Sequence, residues 1–259
     1  MPQVLIVVPA RYASERFPGK PLVALRDAAG AEKPLIRWSW EAAMRAADLA
    51  EVVVATDDAR IADAVRQFGG TAVMTSRQAR NGTERCAEAL AGIGFEPDLV
   101  INLQGDSPLV RREDIAALID AWRATGAPAL TAFIECDSET EAAVLAEYRA
   151  GRVGGTTVVA GASGEALYFS KRPIPFRRGS EPALKLHLGL YAYTPAALRD
   201  YARWQPAPLE QAEGLEQLRF IENGVPVRLV EVAPRPEGFW EVNNPEDVSQ
   251  VEQALARRG

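Results

Sequence analysis

Apolar and polar positions recur along this chain with two different periods, and they divide it into two unlike halves. Residues 4–8, Val-Leu-Ile-Val-Val, form an unbroken apolar run that predicts a strand buried on both faces. Residues 35–47 place Ile36, Trp40, Met44 and Ala47 at helical spacing, which predicts a helix. The run 52–55 reads as a second strand. The helix after it carries Ile61, Val65 and Phe68 on one face until Gly69 and Gly70 end it. Residues 71–74 read as a short strand, 83–91 as a helix and 99–103 as another buried strand. Ile115, Leu118, Ile119 and Trp122 mark one face of a further helix. This β-α-β-α order predicts an α/β fold with a mostly parallel sheet and right-handed crossovers.

The second half has a different pattern. Residues 130–135 and 186–193 read as longer strands, and 156–159 and 166–169 as a hairpin around Gly161-Ala162-Ser163-Gly164. Residues 172–182, rich in Pro, Arg and Gly, predict a loop. A helix over 209–223 is ended by Gly224 and followed by a strand over 227–232. Asn244 followed by Pro245 predicts an N-cap with proline at the first helical position. Val248, Val251 and Leu255 then form the inward face of a last helix.

Composition narrows the classes of function. With 259 residues, 47% hydrophobic and 25% charged, the chain is an ordinary globular protein, one large α/β domain or a core with a smaller lobe. No apolar run approaches a membrane span and no leader precedes the first strand. The formal net charge of −6 argues against a general nucleic-acid or anionic-membrane surface. Cys86 and Cys136 stand far apart with no CxxC spacing, which predicts a reduced, cytoplasmic protein. His187 is the sole histidine. It excludes a histidine-rich metal site, and any Ser-His-Asp triad would have to use it.

The candidate chemistry follows the strands. The first strand empties into a loop carrying Arg11, Arg16 and Lys20, with Ser14 and Gly19 among them. Ligands of open α/β sheets bind beyond the carboxyl ends of strands, so these cations suit a polyphosphate better than they suit a plain basic surface loop. Asp57-Asp58 and Gln104-Gly105-Asp106 also follow strands and are expected on the same sheet edge. There Asp106, otherwise an ordinary turn aspartate, is placed to hold Mg²⁺ against phosphates. Asn81-Gly82-Thr83-Glu84-Arg85 opens a helix whose free N–H groups suit an anion or a base edge; a capping box around Thr83 is compatible with the same residues. No GxGxxG follows the first strand, which excludes a dinucleotide-binding dehydrogenase fingerprint.

These residues resemble a known family. Pro9-Ala10-Arg11-Tyr12-Ala13-Ser14, Pro18-Gly19-Lys20-Pro21-Leu22, Ala55-Thr56-Asp57-Asp58, Gly82-Thr83-Glu84-Arg85 and Asn102-Leu103-Gln104-Gly105-Asp106 are similar to the signatures of 3-deoxy-manno-octulosonate (KDO) cytidylyltransferases, the CMP-KDO synthetases. So are Ala166-Leu167-Tyr168-Phe169-Ser170, the stretch from His187 to Tyr193, and Pro208-Leu209-Glu210 through Leu215-Glu216-Gln217-Leu218-Arg219. The resemblance runs in order from the first strand to the last helix. It implies a Rossmann-like nucleotidyltransferase fold with a mostly parallel central sheet and a smaller, more antiparallel acceptor and dimerisation lobe. One domain would comprise a nucleotide-binding part (1–126), an acceptor and dimerisation part (127–232) and a return to the core (233–259). The implied enzyme is a homodimer that uses CTP and Mg²⁺, transfers CMP to an acidic eight-carbon sugar and releases pyrophosphate. Carried over by position, Lys20, Arg11 and Asp106 would be catalytic. Arg11, Ser14, Arg16, Lys20, Arg85, Gln104 and Gly105 would hold CTP. Gln104, Lys171, His187, Tyr191, Glu216 and Gln217 would face the acceptor.

The chain departs from the family pattern on the metal and acceptor sides. The family carries a second metal aspartate where Asn243 stands here, in Val242-Asn243-Asn244-Pro245. The neutral carbonyl of Asn243 can still ligate Mg²⁺ beside Asp106, though without neutralising its charge, and Glu241, two residues away, is a possible substitute. Ser107 replaces a glutamate, Lys171 an arginine, Thr157 a lysine and Leu186 a basic residue beside Lys185. A phosphonate or carboxylate acceptor is already ionised and needs less activation than a sugar hydroxyl. Transfer of CMP to a phosphonoformate-like acid is therefore the alternative to KDO, with a non-catalytic nucleotide-binding relative as a third reading.

Overall fold

β1 (Val4–Ala10) is buried along its whole length, in a computed structural model that describes residues 3–13, 16–176, 178–179, 182–234, 238 and 241–258. Its side chains alternate between two cores: Val4, Ile6 and Val8 point into one, Leu5 and Val7 into the other. After a short 3₁₀ turn, Lys20–Leu22, come an antiparallel pair, β2 (Ala24–Arg26) and β3 (Glu32–Pro34), and α1 (Leu35–Met44). Then follow β4 (Glu51–Thr56), α2 (Ala59–Gln67), β5 (Thr71–Met74), α3 (Gly82–Gly92), β6 (Leu99–Leu103) and α4 (Arg112–Thr125). The second half adds β7 (Ala129–Glu135), α5 (Ser138–Arg149), β8 (Thr157–Ala160), β9 (Ala166–Ser170) and β10 (Lys185–Tyr193). It closes with α6 (Pro195–Arg203), α7 (Pro208–Glu213), α8 (Leu218–Glu222), β11 (Val227–Glu231) and α9 (Asp247–Arg258).

The main sheet runs β11-β7-β10-β6-β1-β4-β5, with β8 and β9 attached through β10. β6, β1, β4 and β5 are mutually parallel, as the β-α-β-α order predicts. β10 enters antiparallel between β6 and β7, and the β8–β9 hairpin extends from it as an antiparallel arm. One core lies between the sheet and α1, α2 and α4, through Ile36, Ile61, Val65, Ile115 and Leu118. The other lies under α3, α6 and α8, through Cys86, Leu90, Leu198, Tyr201 and Phe220. α9 packs Val251, Ala254 and Leu255 on Leu25, Leu35 and Trp38, which returns the chain's end to the site edge. No helix among the described residues is long and apolar enough to cross a membrane.

Several elements differ from the pattern-based reading. α1 ends at Met44, not at residue 47. The helix expected over 209–223 is two helices, because Gly214 adopts a left-handed conformation (φ 62°) that stops α7 and turns residues 215–217 toward the sheet. Asn244 does not cap the last helix. α9 starts at Asp247, whose carboxylate accepts the N–H groups of Asn243 (2.8 Å) and Asn244 (2.7 Å). At the start of α3 the cap is Asn81, whose Oδ1 accepts the N–H of Glu84 at 2.9 Å, and not Thr83. Both cysteines are buried and unbridged, and burial pushes Cys136 up to about 11.

Candidate active site

The carboxyl ends of β1 and β6 and the start of α3 enclose a cavity of about 310 Å³. Arg11, Arg16, Lys20, Arg80 and Arg85 bring cations to its wall, and Asp106 brings its carboxylate. Gln104, Gly105, Gly82 and Asn243 complete the lining. Glycine is required at 105, because a Cβ there would stand 2.6 Å from the carbonyl oxygen of Pro9, where the chain leaving β6 crosses the end of β1. The Gly105 N–H donates to that same oxygen at 3.2 Å. Arg85 is 3% exposed, which lowers its pKa through desolvation. It donates through Nη1 to the Thr75 hydroxyl at 2.5 Å and lies 3.8 Å from Asp57. An adjoining space of about 260 Å³ shares Arg11 and Arg85 and adds Asp57, Asp58, Arg60 and Arg77. There Arg60 lies 3.4 Å over the Tyr12 ring and pairs with Asp58, drawing that carboxyl down to about 2. The expected meeting of Arg11, Asp57-Asp58 and Gln104-Gly105-Asp106 on one sheet edge is thus observed. Ser14 lies outside the described residues.

Asp106 is held from two sides. Its Oδ2 accepts from Lys20 Nζ at 2.5 Å, and its backbone carbonyl accepts the N–H of Val242 at 3.2 Å. The second contact fastens residues 241–243 against the end of β6. These residues are not a regular strand, yet Glu241 and Asn243 flank the buried Val242 and both border the Asp106 region. Asn243 Oδ1 accepts from Arg16 Nη2 at 3.1 Å. Glu241 Oε1 accepts from the Ser107 hydroxyl at 3.2 Å. Burial, then the charge of Asp106, raises Glu241 to about 7, while Ser107, Lys20 and the Asn243 amide pull in the other direction.

The residues assigned to an acceptor gather on the neighbouring face. Gln104 Nε2 donates to Glu216 Oε1 at 3.1 Å, and the Thr83 N–H donates to Glu216 Oε2 at 2.8 Å. Burial raises the Glu216 carboxyl. Tyr191 donates its hydroxyl to Gln217 Oε1 at 3.4 Å. Lys171 is not among the residues that line the cavity. Its backbone N–H is tied to Glu213, and its ammonium rests against Gly214, two residues before Glu216. The edits at 157 and 186 became internal packing. Thr157 is fully buried and donates to the Arg172 carbonyl at 2.8 Å, while Leu186 fills the space beside Gly155. Lys185 pairs with Glu135 at 3.1 Å.

His187 stands between the rings of Phe169 and Tyr191, with Nε2 2.9 Å from the Thr131 hydroxyl. Desolvation lowers its pKa to about 3. Its folded pKa is therefore below the unfolded value of about 6.5. The stability it contributes is complete above that value and is lost as pH falls, because only the unfolded chain takes up the proton. Between about pH 7.5 and 5, wild type is expected to lose about 2 kcal/mol more unfolding free energy than His187→Gln, measured by urea denaturation. Equal losses would show that the imidazole titrates freely in the folded chain.

Sequence reading missed three contributors. Arg80 lines the cavity directly before the Asn81-Gly82-Thr83 string, and its place ahead of a helix start was the available signal. Asn102 is fully buried beside Tyr191 across β6 and β10, with neither amide atom hydrogen-bonded. Arg219 has no exposed surface and ties three elements together. Its guanidinium meets Glu210 at 2.5 and 2.6 Å and Glu84 at 2.8 Å, and lies 4.0 Å over the Tyr201 ring. This triad clamps α7 and α8 to α3 and so holds Glu216 within reach of Thr83.

The chain is similar to known proteins over its full length. Residues 5–230 match the family model described as Cytidylyltransferase. The chain is 43% identical to the 3-deoxy-manno-octulosonate cytidylyltransferase of Maricaulis maris over 99% of this chain and 98% of that one. It is 39% identical to that of Escherichia coli, over 99% and 98%. Among solved structures, a CMP:2-keto-3-deoxy-manno-octonic acid synthetase complexed with CTP superposes with a TM-score of 0.84 at 36% identity, covering 99% of this chain and all (100%) of the other. A cavity of cations and one carboxylate at the carboxyl ends of β1 and β6, together with these full-length identities, identifies the chain as a member of the cytidylyltransferase family, among the 3-deoxy-manno-octulosonate cytidylyltransferases.

Proposed function

We propose that this enzyme transfers the CMP unit of CTP to 3-deoxy-manno-octulosonate and releases pyrophosphate. The observation that carries this reading is the cavity itself, where Arg11, Arg16, Lys20, Arg80 and Arg85 face the single carboxylate of Asp106 among the lining residues. Such a wall suits a triphosphate and little else of that size. Arg11, Arg16 and Lys20 hold the phosphates, with Ser14 beside them in the chain. Arg85, Gln104 and Gly105 border the nucleoside. As the acceptor oxygen bonds to the α-phosphorus, the bond to the β-phosphate oxygen breaks, and Lys20 neutralises charge growing on the leaving pyrophosphate.

The oxygens around Asp106 fit a divalent cation such as Mg²⁺: the Asp106 and Glu241 carboxylates are hard ligands near the end of β6, and the Asn243 amide oxygen beside them is bonded to Arg16. Bound there, the metal supplies Lewis-acid polarisation of a phosphate oxygen. Gln104, Tyr191, Glu216 and Gln217, with His187 and Lys171 behind them, position the acceptor. The names of the relatives favour the eight-carbon sugar acid over a phosphonate. Two copies of the chain are proposed to pair through the antiparallel arm and the loop after it, where the apolar Leu167 of β9 and Phe176 of the loop are 61% and 85% exposed; light scattering on the eluted protein tests this.

Pyrophosphate release is to be measured with CTP, UTP, ATP and GTP as donors. The acceptors are KDO, its 8-amino analogue, sialic acid and phosphonoformate. Release with CTP and KDO is expected. Release with phosphonoformate alone would transfer the assignment to the phosphonate reading, and CTP binding without release in any arm would make the chain a nucleotide-binding relative.

A further inference from the structure

We infer that Glu241, and not Asn243, provides the second carboxylate beside Asp106 for the divalent cation, and that Asn243 serves instead as the anchor of Arg16. The inference rests on the reading of this cavity as the CTP and metal site. An asparagine can give a cation only its amide oxygen. That atom of Asn243 accepts from Arg16 Nη2 at 3.1 Å, so it is committed to the loop cation. The backbone on either side leaves Asn243 little freedom to turn away, because its N–H is bound to Asp247 at 2.8 Å and Val242 is bound to Asp106.

Glu241 has the opposite situation. Its Oε1 accepts from Ser107 at 3.2 Å and would lie 2.9 Å from a Cβ placed on Gly189. Gly189 precedes Leu190, which pairs with Leu103 across the sheet, and a Cβ at 189 would also stand 3.5 Å from Gln104 Cγ. The absence of a side chain at 189 and the small one at 107 together open the space in which this carboxylate sits. Ser107 follows Asp106 in the chain, and the Val242 N–H binds the Asp106 carbonyl at 3.2 Å, so the backbone holds Glu241 against the Asp106 turn. A carboxylate has thus been exchanged between positions: Ser107 and Asn243 are both neutral, and Glu241 carries the charge. The amide at 243 is part of the exchange. It accepts from Arg16 without adding charge, whereas an aspartate there would set a second negative charge two residues from Glu241.

The test is a Mn²⁺ titration followed by electron paramagnetic resonance. The full-length protein is saturated with a non-hydrolysable CTP analogue, and Mn²⁺ bound by the analogue alone is subtracted. Glu241→Gln is expected to weaken Mn²⁺ binding about tenfold or more, as loss of a ligating or adjoining carboxylate does. The double variant Glu241→Gln with Asn243→Asp recovers the wild-type affinity, because the charge returns from the neighbouring position. Asn243→Ala leaves Mn²⁺ affinity unchanged and weakens the analogue in metal-free buffer, through release of Arg16. Gly189→Ala, which crowds the Glu241 carboxylate without removing it, weakens Mn²⁺ and serves if Glu241→Gln fails to fold. Wild-type Mn²⁺ affinity in Glu241→Gln, or a loss of Mn²⁺ in Asn243→Ala as large as in Glu241→Gln, overturns the inference alone. No Mn²⁺ uptake by the wild-type protein overturns the metal reading together with it.

Discussion

Lys20→Ala lowers kcat/KM for CTP by about 10³-fold, measured by pyrophosphate release under steady state. Two effects add. In the proposed role Lys20 is one of the cations facing the leaving pyrophosphate, and the charge it places there grows in value as the bond breaks. Its ammonium also holds Asp106 Oδ2 at 2.5 Å, with the two side chains only 14% and 21% exposed. Removing it frees Asp106 to turn toward Arg11 or Arg16 and spoils the geometry any bound cation needs. Lys20→Arg does not restore the rate, because a planar fork cannot occupy the site of a compact ammonium. The effect is expected mainly in kcat, since Arg11, Arg16 and Arg85 remain in the cavity wall proposed to bind the triphosphate. A loss confined to KM, with kcat intact, would reassign Lys20 to ground-state binding.

Arg219→Met lowers unfolding free energy by about 3–5 kcal/mol in urea denaturation, the largest stability loss expected of any single substitution discussed. The methionine fills much of the volume, so packing is not the main loss. What remains is two carboxylates, Glu84 and Glu210, 9% and 10% exposed at their side chains, with their main cation gone. Glu84 retains Arg80 at 2.7 Å, while Glu210 retains the N–H of Ala207 at 3.0 Å. Adding Glu210→Gln to the variant restores part of the stability, because the uncompensated charge is the cause. A cost below about 1 kcal/mol in the single variant would mean that water reaches the triad and that its burial is nominal. The acceptor side is affected as well, since the clamp sets where Glu216 meets Thr83 and Gln104.

The nucleotide side of the site was readable because it is local. Arg11 to Lys20 follow one strand and Gln104 to Asp106 follow another, and parallel strands bring their carboxyl ends together without further information. The elements that the sequence pattern does not show have several physical origins. The β2–β3 pair is only three residues per strand, and α5 buries Val144 alone, so neither has enough periodic signal to stand out. α6 did have a readable start, Thr194 capping Ala197 with proline next, and was overlooked. The break at Gly214 was hidden because its flanks have apolar spacing that one long helix would also satisfy. On the acceptor side the decisive contacts join residues remote in sequence: Arg16 with Asn243, Ser107 with Glu241, Glu84 with Arg219. No spacing rule encodes such pairs. Asn243 could be recognised as a departure, but its service to Arg16 is visible only in three dimensions.

The position of β10 between β6 and β7 has a consequence for the newborn chain. The N-terminal strands can pair as soon as Leu103 has emerged, but β6 keeps one edge open until residues 185–193 have been synthesised and folded back antiparallel beside it. Over that interval an apolar edge, Leu99–Leu103, has backbone donors and acceptors with no neighbour. The last strand to fill the gap also carries His187, Gly189 and Tyr191. Completion of the sheet and arrival of the residues proposed to face the acceptor are therefore one event, and a chain stalled before it presents a sticky edge to its neighbours without them.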